Sequence, residues 1–500
     1  MSNSAAENPD NSSATVSPTA TEPTVPEGAS RVVWLLVVAA FVVILNETVM
    51  AVALSDLMVE FEAPASTVQW ITTAFMLTMA VVIPTTGYLL TRLPLRTVFV
   101  MAMTSFLLGT LLAGLAPTLL VIIFGRVVQA IGTAIMLPLL FTTVLNVIPA
   151  SRRGRTMGLI SIVIAVAPAT GPTIGGVILD VLDWRWLFWT MLPIAGIALL
   201  LGVTMIRNVT ETRKLPLDVF SVILSALGFA GLVFGLSSIG SAAEGQALVT
   251  PWIPLTIGIA ALALFTWRQL SLREHALLDV RAFRTRTFSV SLGMMMTGMM
   301  AMFGTLILLP IYLQQVLELS ARDTGLMLLP GGLLMGVMGL IVGRLFDRIG
   351  ARPLVIPGSA IVAVALWGMT TLTADSSQVT IIAWHMLLNA GLSCMFSPLM
   401  TAALGALPRR LYSHGSAIMS TFQQVAGAAG TALFITVMAT ATFAGAQSGA
   451  DPSEALMNGV HNALVAGAII SLVAFVGSFF VRSVPAPEEE TVPVRESVDA

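Results

Sequence analysis

The chain has 500 residues, 56% hydrophobic and 10% charged, with a net charge of −2 and a mean hydropathy of +0.92. A soluble domain is about 25% charged, so this composition excludes an ordinary globular enzyme and predicts an all-α integral membrane protein. The near-neutral charge, with no long basic stripe, argues against a nucleic-acid partner, and the single Cys394 rules out an intrachain disulfide.

Residues 1–30 are rich in Ser, Thr, Pro, Ala and Glu and read as a disordered tail. They lack the basic-then-apolar pattern of a cleaved signal, so the first apolar run is expected to stay as an anchor. Fourteen candidate spans follow, near 32–57, 68–90, 96–116, 118–147, 156–180, 186–206, 216–240, 250–272, 287–316, 322–344, 350–374, 378–406, 412–445 and 460–482. The expected organisation is a six-helix half over 31–208, two inserted helices over 209–272 and a connector over 273–286. A second six-helix half over 287–482 and a tail over 483–500 complete it.

Arginines set the orientation. With the N-terminus inside, the inner segments hold Arg92 and Arg96, Arg152, Arg153 and Arg155, Arg281, Arg284 and Arg286, Arg344, Arg348 and Arg352, and Arg409 and Arg410. The outer loops hold only Arg185 and Arg322. That bias predicts both ends in the cytoplasm. The inner loops also carry a repeat. Gly87, Arg92 and Arg96 follow span 2, and Gly343, Arg348 and Arg352 follow span 10, with equal spacing. Copies eight spans apart imply parallel halves, an arrangement that places a transport site near the midplane.

Within the spans, Glu47 is the clearest acid placed at lipid depth, and such a residue faces the protein interior by default. Arg126 in span 4 falls at similar depth and is its expected partner. A nearby guanidinium favours the carboxylate and dehydration favours the neutral acid. A movement that alters the pairing therefore binds or releases a proton; the alternative is a static ion pair that fixes helix packing. Arg126, Gln129 and Thr133 share one helix face, which reads as a cavity wall or as interhelical hydrogen bonding. In span 5, Pro168, Gly171, Pro172, Gly175 and Gly176 form a dense small-residue cluster, expected to be a tight interface that moves during a cycle.

Span 9 is rich in Met, including Met296, and thioethers suit a pocket that repacks around varied apolar ligands or simple core filling. His385 and Asn389, four apart, and Gln314 and Gln423 are further cavity candidates with packing as the alternative. The sequence has no Walker A loop, no HExxH, no paired-Cys metal site and no convincing nucleophile triad. The reading is therefore not an enzyme, with no metal and no cofactor.

These motifs together resemble the major facilitator superfamily, specifically its fourteen-helix drug:proton antiporter family, lincomycin-resistance-type exporters among them. The resemblance spans roughly 31–482. Gly171-Pro172 and Gly175-Gly176 resemble the antiporter signature, Arg126 and Gln129 the Arg-x-x-Gln of helix 4, and Gly343, Asp347, Arg348, Gly350 and Arg352 the loop motif that gates the cytoplasmic side. The family's helix-1 Asp falls on Asn46, and the acid here is Glu47, about 100° further round the helix. Thr91 stands at the acidic position of the first loop copy and Pro94 at its second Gly.

The resemblance implies a major facilitator fold with two six-helix halves and two inserted helices. It implies a monomer in the cytoplasmic membrane that exchanges protons for small amphipathic compounds by alternating access. A dedicated exporter of one metabolite (an amino acid, antibiotic or siderophore) and a membrane sensor that does not transport are the competing readings.

Overall fold

The computed structural model describes residues 29–50, 52–63, 65–206, 218–243, 249–272 and 276–481. Residues 1–28 and 483–500 of the expected tails, and most of the stretch between the first half and the inserted helices, lie outside them. The described residues contain helices and turns and no strand.

In chain order the helices are α1 (Ala29–Val49), α2 (Leu54–Glu60), α3 (Ala65–Val68), α4 (Trp70–Arg92), α5 (Leu95–Gly114), α6 (Leu119–Val147), α7 (Arg153–Val181), α8 (Trp186–Trp189) and α9 (Met191–Met205). Then come α10 (Val219–Ala243), α11 (Trp252–Leu272), α12 (Arg286–Ile311), α13 (Ala321–Ile349), α14 (Arg352–Met369), α15 (Gln378–Gly405), α16 (Tyr412–Gln447) and α17 (Pro452–Ser478). Thirteen helical segments among the described residues are long and apolar enough to cross a membrane. α7 occupies the place of the fifth expected span as one continuous helix, with an uncharged, largely apolar run from Met157 to Leu179.

Only helices satisfy the backbone inside lipid one segment at a time, so the apolar runs become helices whatever their local propensity. Prolines sit inside α4 (Pro84), α6 (Pro138), α12 (Pro310), α13 (Pro330), α14 (Pro357) and α15 (Pro398). Membrane helices tolerate such prolines because neighbouring helices, Ser/Thr side chains, water or local adjustments can re-satisfy the freed carbonyls. After Pro310 the chain continues as a wide π-turn, Tyr312–Val316, with the Tyr312 hydroxyl donating to the Thr373 carbonyl at 2.7 Å. The ends of the repeat copies also have local causes. Gly350 ends α13 at φ 78°, where its N–H meets the Phe346 carbonyl at 2.8 Å. The first copy stops α4 differently: Pro94 cannot continue a helix and instead precedes the first turn of α5.

The helices before residue 207 and those after residue 275 meet along two seams, α7 on α13 and α4 on α16. α10 and α11 pack on each other, and α10 lies against both α4 and α16. A polar clamp ties the arginine-rich end of this inserted pair to the next segment. The Arg268 guanidinium donates to both Asp218 oxygens at 2.7 and 2.9 Å, and Ser221 donates to the same carboxylate at 2.5 Å. Gln269 then donates to Ser221 at 2.7 Å and accepts from the Leu278 N–H at 3.3 Å. Hydrogen bonding from Arg268, opposed by partial burial and helped by Ser221, holds Asp218 down at about 2.

Candidate coupling and transport site

α1, α4, α5 and α6 build a buried polar centre in an apolar surround. Arg126 of α6 is 0% exposed, as is Gln129 one turn on. Arg126 Nη1 donates to Asn46 Oδ1 at 2.9 Å and to Gln129 Oε1 at 2.6 Å. Gln129 Nε2 donates to Thr110 Oγ1 of α5 at 2.7 Å, and that hydroxyl donates to the Phe106 carbonyl at 2.7 Å. The Phe75 ring of α4 lies 4.0 Å from the guanidinium carbon, a cation–π contact that helps hold the charge away from water. Buried charges persist only when paired or hydrogen-bonded, and this relay supplies that on one side of the guanidinium. On the other side Arg126 Nε and Nη2, both buried, have no hydrogen-bond partner among the described residues.

The hydrogen-bonded partner of Arg126 is therefore Asn46, where the sequence reading placed Glu47. Glu47 is half-buried, feels the Arg126 charge, and makes no ion pair or hydrogen bond among the described residues. The cause is register: one residue is about 100° of helix, and Asn46 takes the side of α1 that faces α6. Thr133 is buried and donates to its own helix at the Gln129 carbonyl, 3.2 Å away, so it lines no open space here.

The span-5 cluster seats α7 on the turn that carries these residues. The Thr48 hydroxyl donates to the Leu45 carbonyl at 3.0 Å and lies 3.4 Å from the Ala167 carbonyl of α7. A side chain at Gly171 would strike Thr48, and a Cβ at Gly175 would lie 3.2 Å from both Val49 Cγ1 and the Val49 carbonyl. Pro168 is half-buried and nothing lies within contact of a Cβ at Gly176; the Pro172 side chain is outside the described residues.

At the arginine-rich end the two repeat copies each cross to the opposite set of helices. Asp347 at the end of α13 accepts from the first amides of α7, Gly154 N–H at 2.7 Å and Arg155 N–H at 2.8 Å. Those amides have no partner within their own helix, and the helix dipole favours an anion there. The first copy makes the corresponding crossing with a neutral group: Thr91 Oγ1 meets Ser413 Oγ of α16 at 3.0 Å. Gly343 sits on Gly154 and Gly158 of α7. Arg92 donates to Tyr88 on its own helix; Arg96, Arg348 and Arg352 are exposed.

Sequence reasoning missed Arg153 and Tyr412. Arg153 donates to the Leu145 carbonyl at 2.8 Å and to the Tyr412 hydroxyl of α16 at 3.3 Å, beside a Thr142–Ser416 contact of 2.8 Å. The run Arg152-Arg153-x-Arg155 reads as topology only, and nothing in it marks the middle arginine as buried.

The remaining cavity candidates do not converge. Asn389 Nδ2 lies 3.1 Å from His385 Nε2 and donates to the His385 carbonyl at 2.8 Å, with both side chains against Gly331 of α13. Gln423 reaches Met295 Sδ at 3.8 Å, Met296 is half-buried, and Gln314 is exposed in the π-turn at the far end of α12. Between the two sets, Phe141, Met157, Ile160, Met295, Phe396 and Met400 enclose only about 10 Å³. That is room for about one water-sized probe. Among the described residues no three His, Cys, Asp or Glu side chains cluster as a metal would require.

An all-helical, multi-pass membrane protein with a buried arginine relay and two crossed loop copies is the class this geometry defines. The chain belongs to the Major Facilitator Superfamily, whose family model matches residues 36–431, and so to transporters, not enzymes. It is 42% identical over 449 residues to a lincomycin resistance protein, LmrB, of Listeria monocytogenes, covering 89% of this chain and 95% of that one. Its Bacillus subtilis namesake is 41% identical over 455 residues, covering 90% and 95%. A multidrug resistance protein B homolog of Mycobacterium tuberculosis is 31% identical over 411 residues, 81% of this chain and 75% of that one. Among solved structures, the human organic anion transporter MFSD10 superposes with a TM-score of 0.63 at 14% identity, covering 92% of this chain and 100% of that chain. The proton:xylose symporter XylE superposes with a TM-score of 0.62 at 14% identity, covering 92% and 97%. At such identity these two speak to the fold alone.

Proposed function

We propose that the protein is a proton-coupled antiporter that exports small amphipathic compounds, drugs among them, across the cell membrane as a monomer. The arginine-rich end faces the cytoplasm in this reading, with both termini on that side. The observation that carries it is the half-satisfied guanidinium of Arg126, with two buried open donors beside the acid-bearing turn of α1. Likeness to a lincomycin resistance protein supports the substrate class.

Ionised Glu47 is drawn toward the open donors of Arg126, and protonation cancels that attraction. The same turn rests on Gly171 and Gly175 of α7, and α7 is fastened at its other end to Asp347 of α13. A shift of α1 at Glu47 is thereby passed along α7 to the seam between the two halves, 31–208 and 287–482. Rocking across that seam gives alternating access. The cytoplasmic seam is fastened here by Thr91–Ser413, Arg153–Tyr412 and Asp347–Gly154. Proton entry supplies the work: one charge crossing 100 mV is worth about 2.3 kcal/mol, and one pH unit about 1.4 kcal/mol.

The test is lincomycin-driven proton release from inside-out vesicles, wild type against Glu47→Gln. Release by the wild type and none by the variant supports the reading. Full coupled efflux by the variant excludes Glu47 as the coupling acid.

A further inference from the structure

A cavity lies where the inserted helices meet the second set. It holds about 500 Å³, within the roughly 300–1,000 Å³ typical of small-molecule sites. Phe229 of α10, Leu262 and Phe265 of α11 and Phe422 of α16 form its walls. The rings stack edge-on: Phe229 lies 6.4 Å from Phe265 and 6.5 Å from Phe422. Leu270 and Phe283 at its lip are 55% and 38% exposed, so it opens sideways onto the bilayer.

We infer that this cavity holds one acyl chain of an anionic phospholipid, with the headgroup on Arg281 and Arg284. Depth argues for a lipid. Phe229 and Leu262 each lie about ten residues in from the arginine-rich ends of α10 and α11, or roughly 15 Å at 1.5 Å per residue. That is half of a hydrocarbon core of about 30 Å, the reach of one leaflet. Charge argues for an anion. Arg281 and Arg284 line the mouth, and residues 276–286 hold one acid, Asp279, against three arginines. Asp279 binds Arg281 at 2.7 Å, while Arg284 is exposed and makes no hydrogen bond or ion pair among the described residues. Basic pockets between membrane helices at this level bind anionic headgroups.

The occupant rests against an element that moves in a transporter. Phe422 precedes Gln423 and Gln424, and Gln424 reaches Met79 of α4 at 3.6 Å across the seam. A chain seated in the cavity braces α16 against α10 and α11, and so favours the conformation described here.

Native mass spectrometry of the full-length detergent-purified protein tests this, titrating dioleoylphosphatidylglycerol and dioleoylphosphatidylcholine separately. The expected result is tighter binding of phosphatidylglycerol. Arg284→Gln reduces that preference about fivefold, the share of one basic contact at a membrane surface. Leu262→Trp fills the cavity and lowers binding of both lipids. Arg284→Gln alters an exposed side chain, so it reads out even if Leu262→Trp fails to fold. Equal binding of the two lipids overturns the inference. So does a phosphatidylglycerol preference unchanged by Arg284→Gln, which puts the headgroup elsewhere. Displacement by lincomycin, with no lipid preference, would make the cavity a substrate entrance and also overturn it.

Discussion

Asp347→Asn is the change whose effect the geometry specifies most fully. The carboxylate accepts two backbone N–H bonds, 2.7 and 2.8 Å long, at the positive end of α7. An amide keeps one acceptor oxygen, turns a donor toward the second N–H, and removes the charge that the helix dipole favours. Hydrogen bonds to charged groups contribute about 1.5–3 kcal/mol each. Asp347 is half-buried and partly screened by water, which puts the loss near the lower figure. About 1.5 kcal/mol corresponds to roughly a tenfold shift between conformations closed and open at the arginine-rich end.

Spin labels at Ser151→Cys and Arg409→Cys, in a Cys394→Ala background, span that end, and pulsed electron–electron resonance reads the distance between them. The wild type is expected to favour the short distance, and Asp347→Asn to raise the long-distance fraction about tenfold. Thr91→Asp gives the neutral crossing an acid and is expected to move the population the other way. An unchanged distance distribution in Asp347→Asn would refute the fastening role.

Two further outcomes follow from other contacts. Gly175→Leu collides with Val49, which lies 3.2 Å from even a Cβ, and so is expected to abolish efflux while the protein still reaches the membrane; normal efflux at normal membrane level would show that α1 and α7 need no tight seat. The Asp218 clamp predicts acid sensitivity. Its folded-state pKa of about 2 lies below the ordinary 3.8, so its contribution is complete above the ordinary value and fades as pH falls through about 2. Thermal unfolding between pH 5 and about 2 should lose less stability in Arg268→Ala than in the wild type, because that variant lacks the partner that sets the shift. Equal losses would remove the clamp as a source of acid sensitivity.

Much of this was legible from residues alone because lipid simplifies the problem. An apolar run of span length has to be a helix, and a lone intramembrane Arg126 has to find polar partners inside the protein. Sequence spacing also put Arg126 and Gln129 on one helix face, and there the two side chains share a hydrogen bond of 2.6 Å. The exact partner on α1 was not legible. Choosing between Asn46 and Glu47 requires the rotation of α1 to better than one residue, and span boundaries read from hydropathy are uncertain by more than that.

Long-range polar contacts were hidden for a related reason. The two loop copies announce themselves as a repeat, but not that Asp347 crosses to Gly154, 193 positions away. The lateral cavity gave no signal, because Phe229, Phe265 and Phe422 look like any lipid-facing aromatics until three helices bring their rings together.

The central claim is that Glu47 carries the proton exchanged for substrate. Its most direct measurement is substrate-driven proton release in inside-out vesicles, with lincomycin as the compound, comparing wild type with Glu47→Gln at matched protein level. The account predicts release from wild-type vesicles and none from the variant, which should still bind lincomycin. Equal proton release from both would contradict it and return the coupling role to another group.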